Sequence, residues 1–157
     1  MHEGKYRIVV ADDEAITRMD LKEMLVELGC QVVGEARNGI EALDLAKKLK
    51  PDLVIMDVRM PRMDGIKAAK MIGGMKLAPV LLLTAYSDAD IIRRSVEAGV
   101  MGYLTKPVMK QDLSPAVHVA VQQYREIKKI KRYKVLLQEK LQLEKQQRLM
   151  QAGKAVH

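Results

Sequence analysis

A chain of 157 residues, 48% of them hydrophobic, is about one domain long and carries enough apolar side chain to exclude wholesale disorder. With no Phe, no Trp and five Tyr, its core is expected to be filled by Leu, Ile, Val, Ala and eleven Met, the last adapting to irregular gaps. The net charge of +7 lies in the tail: residues 1–121 hold seventeen basic and seventeen acidic side chains, residues 122–157 ten and three, a balance that favours acidic partners such as nucleic acid without specifying one.

The opening MHEGKYRIVVADDE lacks the long apolar stretch of a signal peptide, and no window reaches transmembrane length. A soluble, cytoplasmic protein without a membrane partner is expected. Tyr6–Ala11 reads as a strand, and the segment from about Glu14 to Leu28 as an amphipathic helix stopped by Gly29. Cys30 precedes a second strand, Gln31–Ala36. A lone cysteine excludes an intramolecular disulfide framework, suits a reducing compartment and reads as a small buried hydrophobe. Asn38 can cap a helix that runs to about Leu49, before Pro51. Leu53–Asp57 is a third strand, and a helix follows from about Asp64 to Met75. Val80–Thr84 is a fourth strand, Asp88–Ala98 a helix and Gly102–Leu104 a short fifth strand. The last helix opens near Asp112 and Pro115, a residue tolerated in a first helical turn. This βα repetition implies a parallel sheet covered on both faces, and such sheets gather reactive groups beyond the carboxyl ends of their strands.

Those ends are polar where apolar residues would continue the core. The first strand ends in Asp12, Asp13 and Glu14, the third in Asp57 and the fourth in Thr84, while the fifth leads to Lys106-Pro107. Each alone has an ordinary explanation. A strand-end Asp is usually a cap or turn former, Glu14 and Asp64 suit helix N-termini, Lys106 suits a solvated charge, and Thr84 suits a satisfied hydroxyl. Their co-occurrence at successive strand ends points further. Clustered carboxylates repel unless neutralised, and oxygen-only ligands with waters suit Mg²⁺. One Asp with an oxygen facing solvent can then act as a nucleophile towards a phosphoryl group, whose charge Lys106 and Thr84 would stabilise.

The segments IVVADDE (8–14), PDLVIMDVRMPRMDG (51–65), PVLLLTAYSD (79–88) and AGVMGYLTKP (98–107) resemble the receiver domain of two-component response regulators over about residues 5–122. The resemblance implies a flavodoxin-like (βα)5 fold, a doubly wound parallel five-stranded sheet, here with a long C-terminal helical extension. It implies Asp57 as phosphoacceptor, Asp13 as a direct Mg²⁺ ligand, Asp12 holding the metal through water, and the backbone carbonyl of Arg59 as a further ligand. Thr84 would bond the phosphoryl oxygen and Lys106 would pair with it, with Lys106–Pro107 cis. Phosphorylation would draw Thr84 inward, Tyr103 would rotate after it, and the face built from the fourth helix, fifth strand and last helix would change shape. Arg59 and Tyr86 occupy positions that modulate hydrolysis of the acyl phosphate in the family. Val108 stands where a Phe commonly follows the Lys-Pro pair. The implied partner is a histidine kinase or phosphotransfer protein, and the implied role a signalling switch and not an enzyme. A phosphatase resembling haloacid dehalogenases would need an acid/base Asp where Arg59 stands.

TAYSD (84–88) and VVGEARNGIEAL (32–43) resemble receivers attached to the RNA-binding ANTAR antiterminator module. KQQRLMQAGKAVH (145–157) matches at most the start of that module, so RNA binding through the basic tail stays the alternative reading. Division into a receiver (1–122) and a basic helical extension (123–157) is expected. From Asp112 to about Ala152 the chain has no internal Gly, which suits a helix of roughly 60 Å. Ile130, Tyr133, Leu137 and Leu141 continue an apolar stripe that a homodimeric helix pair would bury, and the pattern is lost from Met150, where disorder is expected.

Overall fold

Five short runs of β-branched and other aliphatic residues pair in parallel: β1 (Arg7–Ala11), β2 (Gln31–Ala36), β3 (Leu53–Asp57), β4 (Val80–Thr84) and β5 (Gly102–Thr105). The computed structural model describes residues 6–85 and 89–156. Strand order is β2-β1-β3-β4-β5, the flavodoxin-like order, with the chain reversing direction across the sheet between β1 and β3. The crossovers are α1 (Ala15–Glu27), α2 (Gly39–Leu49), α3 (Gly65–Gly74) and α4 (Ala89–Glu97), and α5 (Lys110–Val156) follows β5.

Alternation along each strand divides the core into two layers. Ile8, Val10, Leu53, Ile55, Leu81 and Leu83 face α1 and the start of α5, where Leu21, Leu25, Leu113 and Val117 meet them. Val9, Ala11, Val54, Met56, Val80 and Leu82 face the opposite layer, built by α2, α3 and α4. β3 and β4 are buried along their whole length, as continuous aliphatic strands covered on both faces must be. Cys30 is buried in the first layer, and burial pushes its thiol pKa up. Leu, Ile, Val and Ala fill the core as expected, with Met contributing mainly at its margin, where Met24, Met60, Met63 and Met101 pack partly buried. Met56 is the only buried Met among the described residues, whereas Met19, Met71, Met75, Met109 and Met150 are exposed. Aliphatic and Ala side chains close the core because helices carrying Ala42, Ala46, Ala68 and Ala69 approach the sheet closely.

Helix ends follow local chemistry. The side chain of Asn38 caps α2 by accepting from the Glu41 amide at 2.9 Å, while Glu41 accepts from the Arg37 amide at 2.9 Å. Asp64 caps α3 by accepting from the Lys67 amide at 2.8 Å. Glu14 stands at the N-cap of α1 without a side-chain cap bond. Arg7 locks the first strand to the end of α2: its amide donates to Asp52 Oδ2 at 2.8 Å and its guanidinium to the Leu49 carbonyl at 2.9 Å. α5 begins at Lys110 with Asp112 in its first turn, close to the expected opening, but Pro115 lies inside the helix and beyond that turn.

The chain divides into two compact units, residues 1–122 and 123–157. The second unit is helical through Val156. Its Ile127, Ile130, Tyr133, Leu137 and Leu141 are all exposed, and Lys128 Nζ sits 5.6 Å from the centre of the Tyr124 ring. Among the described residues no helix is long and apolar enough to cross a membrane.

Candidate functional site

Parallel pairing carries the ends of β1, β3, β4 and β5 to one edge of the sheet. Ala11 pairs with Met56, Asp57 with Leu83, and Thr84 with Thr105, so the residues that follow or end these strands share a mouth. Asp12 is fully buried there, Asp57 and Thr84 are buried, and Asp13 is exposed. Carboxylate oxygens of Asp12, Asp13 and Asp57 lie within 4.8 Å of one another.

Lys106 spans this cluster. Its Nζ donates to Asp12 Oδ2 at 2.9 Å and to Asp57 Oδ2 at 3.0 Å. The Lys106 amide donates to the Thr84 carbonyl at 2.8 Å, which seats the β5–α5 connection on the end of β4. The following peptide, Lys106–Pro107, is cis. Asp12 is held from every side: its amide donates to the Ala36 carbonyl at 3.0 Å, and its Oδ1 accepts from the Glu14 amide at 2.9 Å.

Electrostatics at the mouth are a balance of burial against pairing. Burial pushes the Asp57 carboxyl up, Lys106 pulls it down, the neighbouring Asp12 adds to the rise, and a backbone hydrogen bond from Arg59 opposes it. The net effect is a raised pKa. Burial pulls Lys106 down, but its bonds to Asp12 and Asp57 outweigh that and its pKa ends above the usual Lys value. Three carboxylates against one ammonium leave a deficit of positive charge. An all-oxygen donor set with one solvent-facing member fits a hard divalent cation that keeps part of its water shell.

The match to the response regulator receiver domain model spans residues 8–118, most of the chain. This chain belongs to the response regulator receiver family. The chain is 50% identical over 139 residues to the transcriptional regulatory protein PdtaR of Mycobacterium tuberculosis, covering 88% of this chain and 68% of that one. It is 39% identical over 104 residues to the chemotaxis protein CheY of Thermotoga maritima, covering 64% of this chain and 85% of CheY. Among solved structures, the signal receiver domain of NarL from Mycobacterium tuberculosis superposes with a TM-score of 0.73 at 32% identity, covering 76% of this chain and 98% of the other.

Of the residues picked out in the sequence, the receiver brings Asp12, Asp13, Asp57, Thr84 and Lys106 together. Arg59 follows β3 on an exposed stretch, and its amide reaches the Asp57 carboxylate. Tyr103 is 43% exposed on β5, where it lines a depression of about 330 Å³ with Thr105, Val108 and Asp112. Val108 packs partly buried against the α1–α5 layer of the core. Tyr86 lies outside the described residues.

Sequence reasoning passed over Arg18 and Gly65. Arg18 Nη1 donates to the Asp12 carbonyl at 2.7 Å, and the available signal was a cation three and seven residues before the buried Leu21 and Leu25, on the inward stripe of α1. Gly65 opens α3 against the backbone of Asp57, where a Cβ would collide with the Asp57 carbonyl oxygen. The spacing of a glycine after a strand does not by itself reveal such an approach.

Proposed function

We propose that this receiver accepts a phosphoryl group on Asp57 and passes the event on as a change of shape, serving as a signalling switch and not as an enzyme. The observation that carries the reading is the shared cation: Lys106 bonds both Asp12 and Asp57 beside the exposed Asp13. An Asp57 carboxylate oxygen attacks phosphorus, the bond to the donor breaks, and the donor keeps the electron pair. With a phosphohistidine donor on a histidine kinase or phosphotransfer protein, the leaving group is the imidazole nitrogen. Asp13 would ligate Mg²⁺ directly, Asp12 through water, with Asp57 and the Arg59 carbonyl completing the protein ligands. When bound, Mg²⁺ supplies the positive charge that offsets the transferring phosphoryl oxygens. Lys106 turns from Asp57 to a phosphoryl oxygen, and Thr84 moves inward to donate its hydroxyl. Tyr103, half out of the sheet edge, follows the space that Thr84 vacates, reshaping the α4–β5–α5 face. Arg59, two residues after Asp57, sets how fast water reaches the acyl phosphate.

Labelling by acetyl phosphate tests the assignment. Incorporation should require Mg²⁺ and vanish in Asp57→Ala; incorporation that survives the substitution rejects Asp57 as the acceptor.

For the output, the exposed stripe Ile127, Ile130, Leu137 and Leu141 supports pairing of the 123–156 helix with a second copy in the cytoplasm. Light scattering with and without a beryllofluoride phosphoryl mimic checks it, and a monomeric mass in both states defeats it. The ten-to-three basic excess of residues 122–157 supports a second reading, an antiterminator whose tail contacts RNA. Gel shifts with structured RNA at physiological salt decide between the two.

A further inference from the structure

Three of the four groups that hold Asp12 belong to the strand ends or to the turn after β1: the Ala36 carbonyl, the Glu14 amide and Lys106. The fourth comes from a helix. Arg18, one turn into α1, sends Nη1 back to the Asp12 carbonyl at 2.7 Å, a charge-assisted bond made by a side chain only 14% exposed. Its Nε is buried and lies 3.4 Å from Glu35 Oε1 on β2, an ion-pair contact without hydrogen-bond geometry. The guanidinium thus bridges the exits of β1 and β2 to α1. The carbonyl it grips belongs to the peptide that joins Asp12 to Asp13. Fixing that plane fixes the direction in which Asp13 leaves the backbone.

We infer that Arg18 is a positioning residue for cation binding: it holds the Asp12–Asp13 peptide so that the exposed Asp13 presents its carboxylate to the cluster. The inference rests on the reading of Asp12, Asp13 and Asp57 as a cation site. Neither Asp12 nor Lys106 can do this work. Asp12 is pinned through its own side chain, and Lys106 touches carboxylates and not the peptide. Supporting groups behind metal ligands act in this way, and their loss weakens metal binding by about 10- to 100-fold.

Charge and position predict opposite signs here, which makes the inference testable. Arg18 brings a positive charge close to a cation site, so by Coulomb interaction alone its removal tightens Mg²⁺ binding. A positioning role predicts the reverse. Calorimetric titration with Mg²⁺ alone, without phosphoryl donor, compares wild type, Arg18→Met, Arg18→Lys and Lys22→Ala. Met keeps the apolar stem against the helix and removes the fork. Lys keeps the charge but not the two-pronged reach. Lys22 meets the same Glu35 at 3.5 Å from a half-exposed position and serves as the charge control.

The expected result is an Mg²⁺ dissociation constant raised about 10-fold in Arg18→Met, an intermediate rise in Arg18→Lys, and no weakening in Lys22→Ala. Binding in Arg18→Met that is unchanged or tighter overturns the inference, and so does an equal weakening in Lys22→Ala, which would assign the effect to Glu35. If thermal melting shows Arg18→Met to be unfolded, Arg18→Lys decides alone, with unchanged affinity as the refuting outcome. Failure of the wild-type protein to bind Mg²⁺ would instead remove the cation-site reading itself.

Discussion

The amide of Gly65 donates to the Val58 carbonyl at 2.8 Å, and its Cα lies so close to Asp57 that a Cβ would run into the Asp57 carbonyl oxygen. The start of α3 is therefore packed directly on the backbone of the candidate phosphoacceptor. No flexible side chain stands between them to absorb a change. Gly65→Ala is expected to lower stability by about 1–3 kcal/mol, the range for overpacking a tight contact. It should also slow acetyl phosphate labelling, because relief of the clash must move Asp57 or the β3–α3 loop. Urea midpoints measure the first effect and initial labelling rates the second. Wild-type values for both would mean that the approach is looser than the geometry requires.

Among the described residues, Lys106 is the single side-chain cation bonded to both Asp12 and Asp57, at 2.9 and 3.0 Å. Lys106→Met leaves two buried carboxylates facing each other, and in the absence of Mg²⁺ should cost about 2 kcal/mol, less than a fully buried pair because the Lys side chain is partly solvated. Mg²⁺ should then raise the urea midpoint of the variant by more than it raises that of wild type, since the ion supplies the counter-charge that Lys106 no longer gives the two carboxylates. An equal or smaller increment would show that the cation and the ammonium do not answer to the same carboxylates.

Asp57 ties the metal-free protein's stability to pH. Burial leads the causes that raise its carboxyl above the ordinary value, with Lys106 opposing. An acid whose folded pKa exceeds its unfolded value of about 3.9 contributes stability that is complete below the unfolded pKa and lost as pH rises through the folded one. At neutral pH the ionised side chain is therefore a liability that a neutral amide avoids. Asp57→Asn, in chelator, should be more stable than wild type at pH 7, with the gap closing as pH falls through the folded pKa. A gap that stays constant over that window would contradict a raised Asp57.

Local pattern was enough for most of the fold. Val, Ile and Leu runs of five residues, punctuated by Gly29, Asn38, Pro51 and Asp64, mark strands and helices because side-chain period and cap chemistry are properties of neighbouring residues. Where a local cue competed with a longer-range one, it misled. Pro115 suggested a first helical turn, yet α5 begins at Lys110, with the Asp112 and Leu113 amides both donating to the Met109 carbonyl. The abundance of Met suggested that Met would share the core with the aliphatic residues, yet among the described residues only Met56 is fully buried, while Met24, Met60, Met63 and Met101 pack partly buried at the core margin.

By itself the sequence determined the chemistry available at the strand ends: two adjacent carboxylates after β1, one ending β3, a hydroxyl ending β4 and an ammonium after β5. Tertiary structure alone decided that these groups meet. Lys106 reaches Asp12 across 94 residues and Asp57 across 49, a proximity that follows from parallel strand order and not from any spacing along the chain. The same holds for Arg18 on the Asp12 carbonyl and Gly65 against Asp57. Backbone approach distances arise only when helices settle on the sheet, and a one-dimensional pattern carries no measure of them.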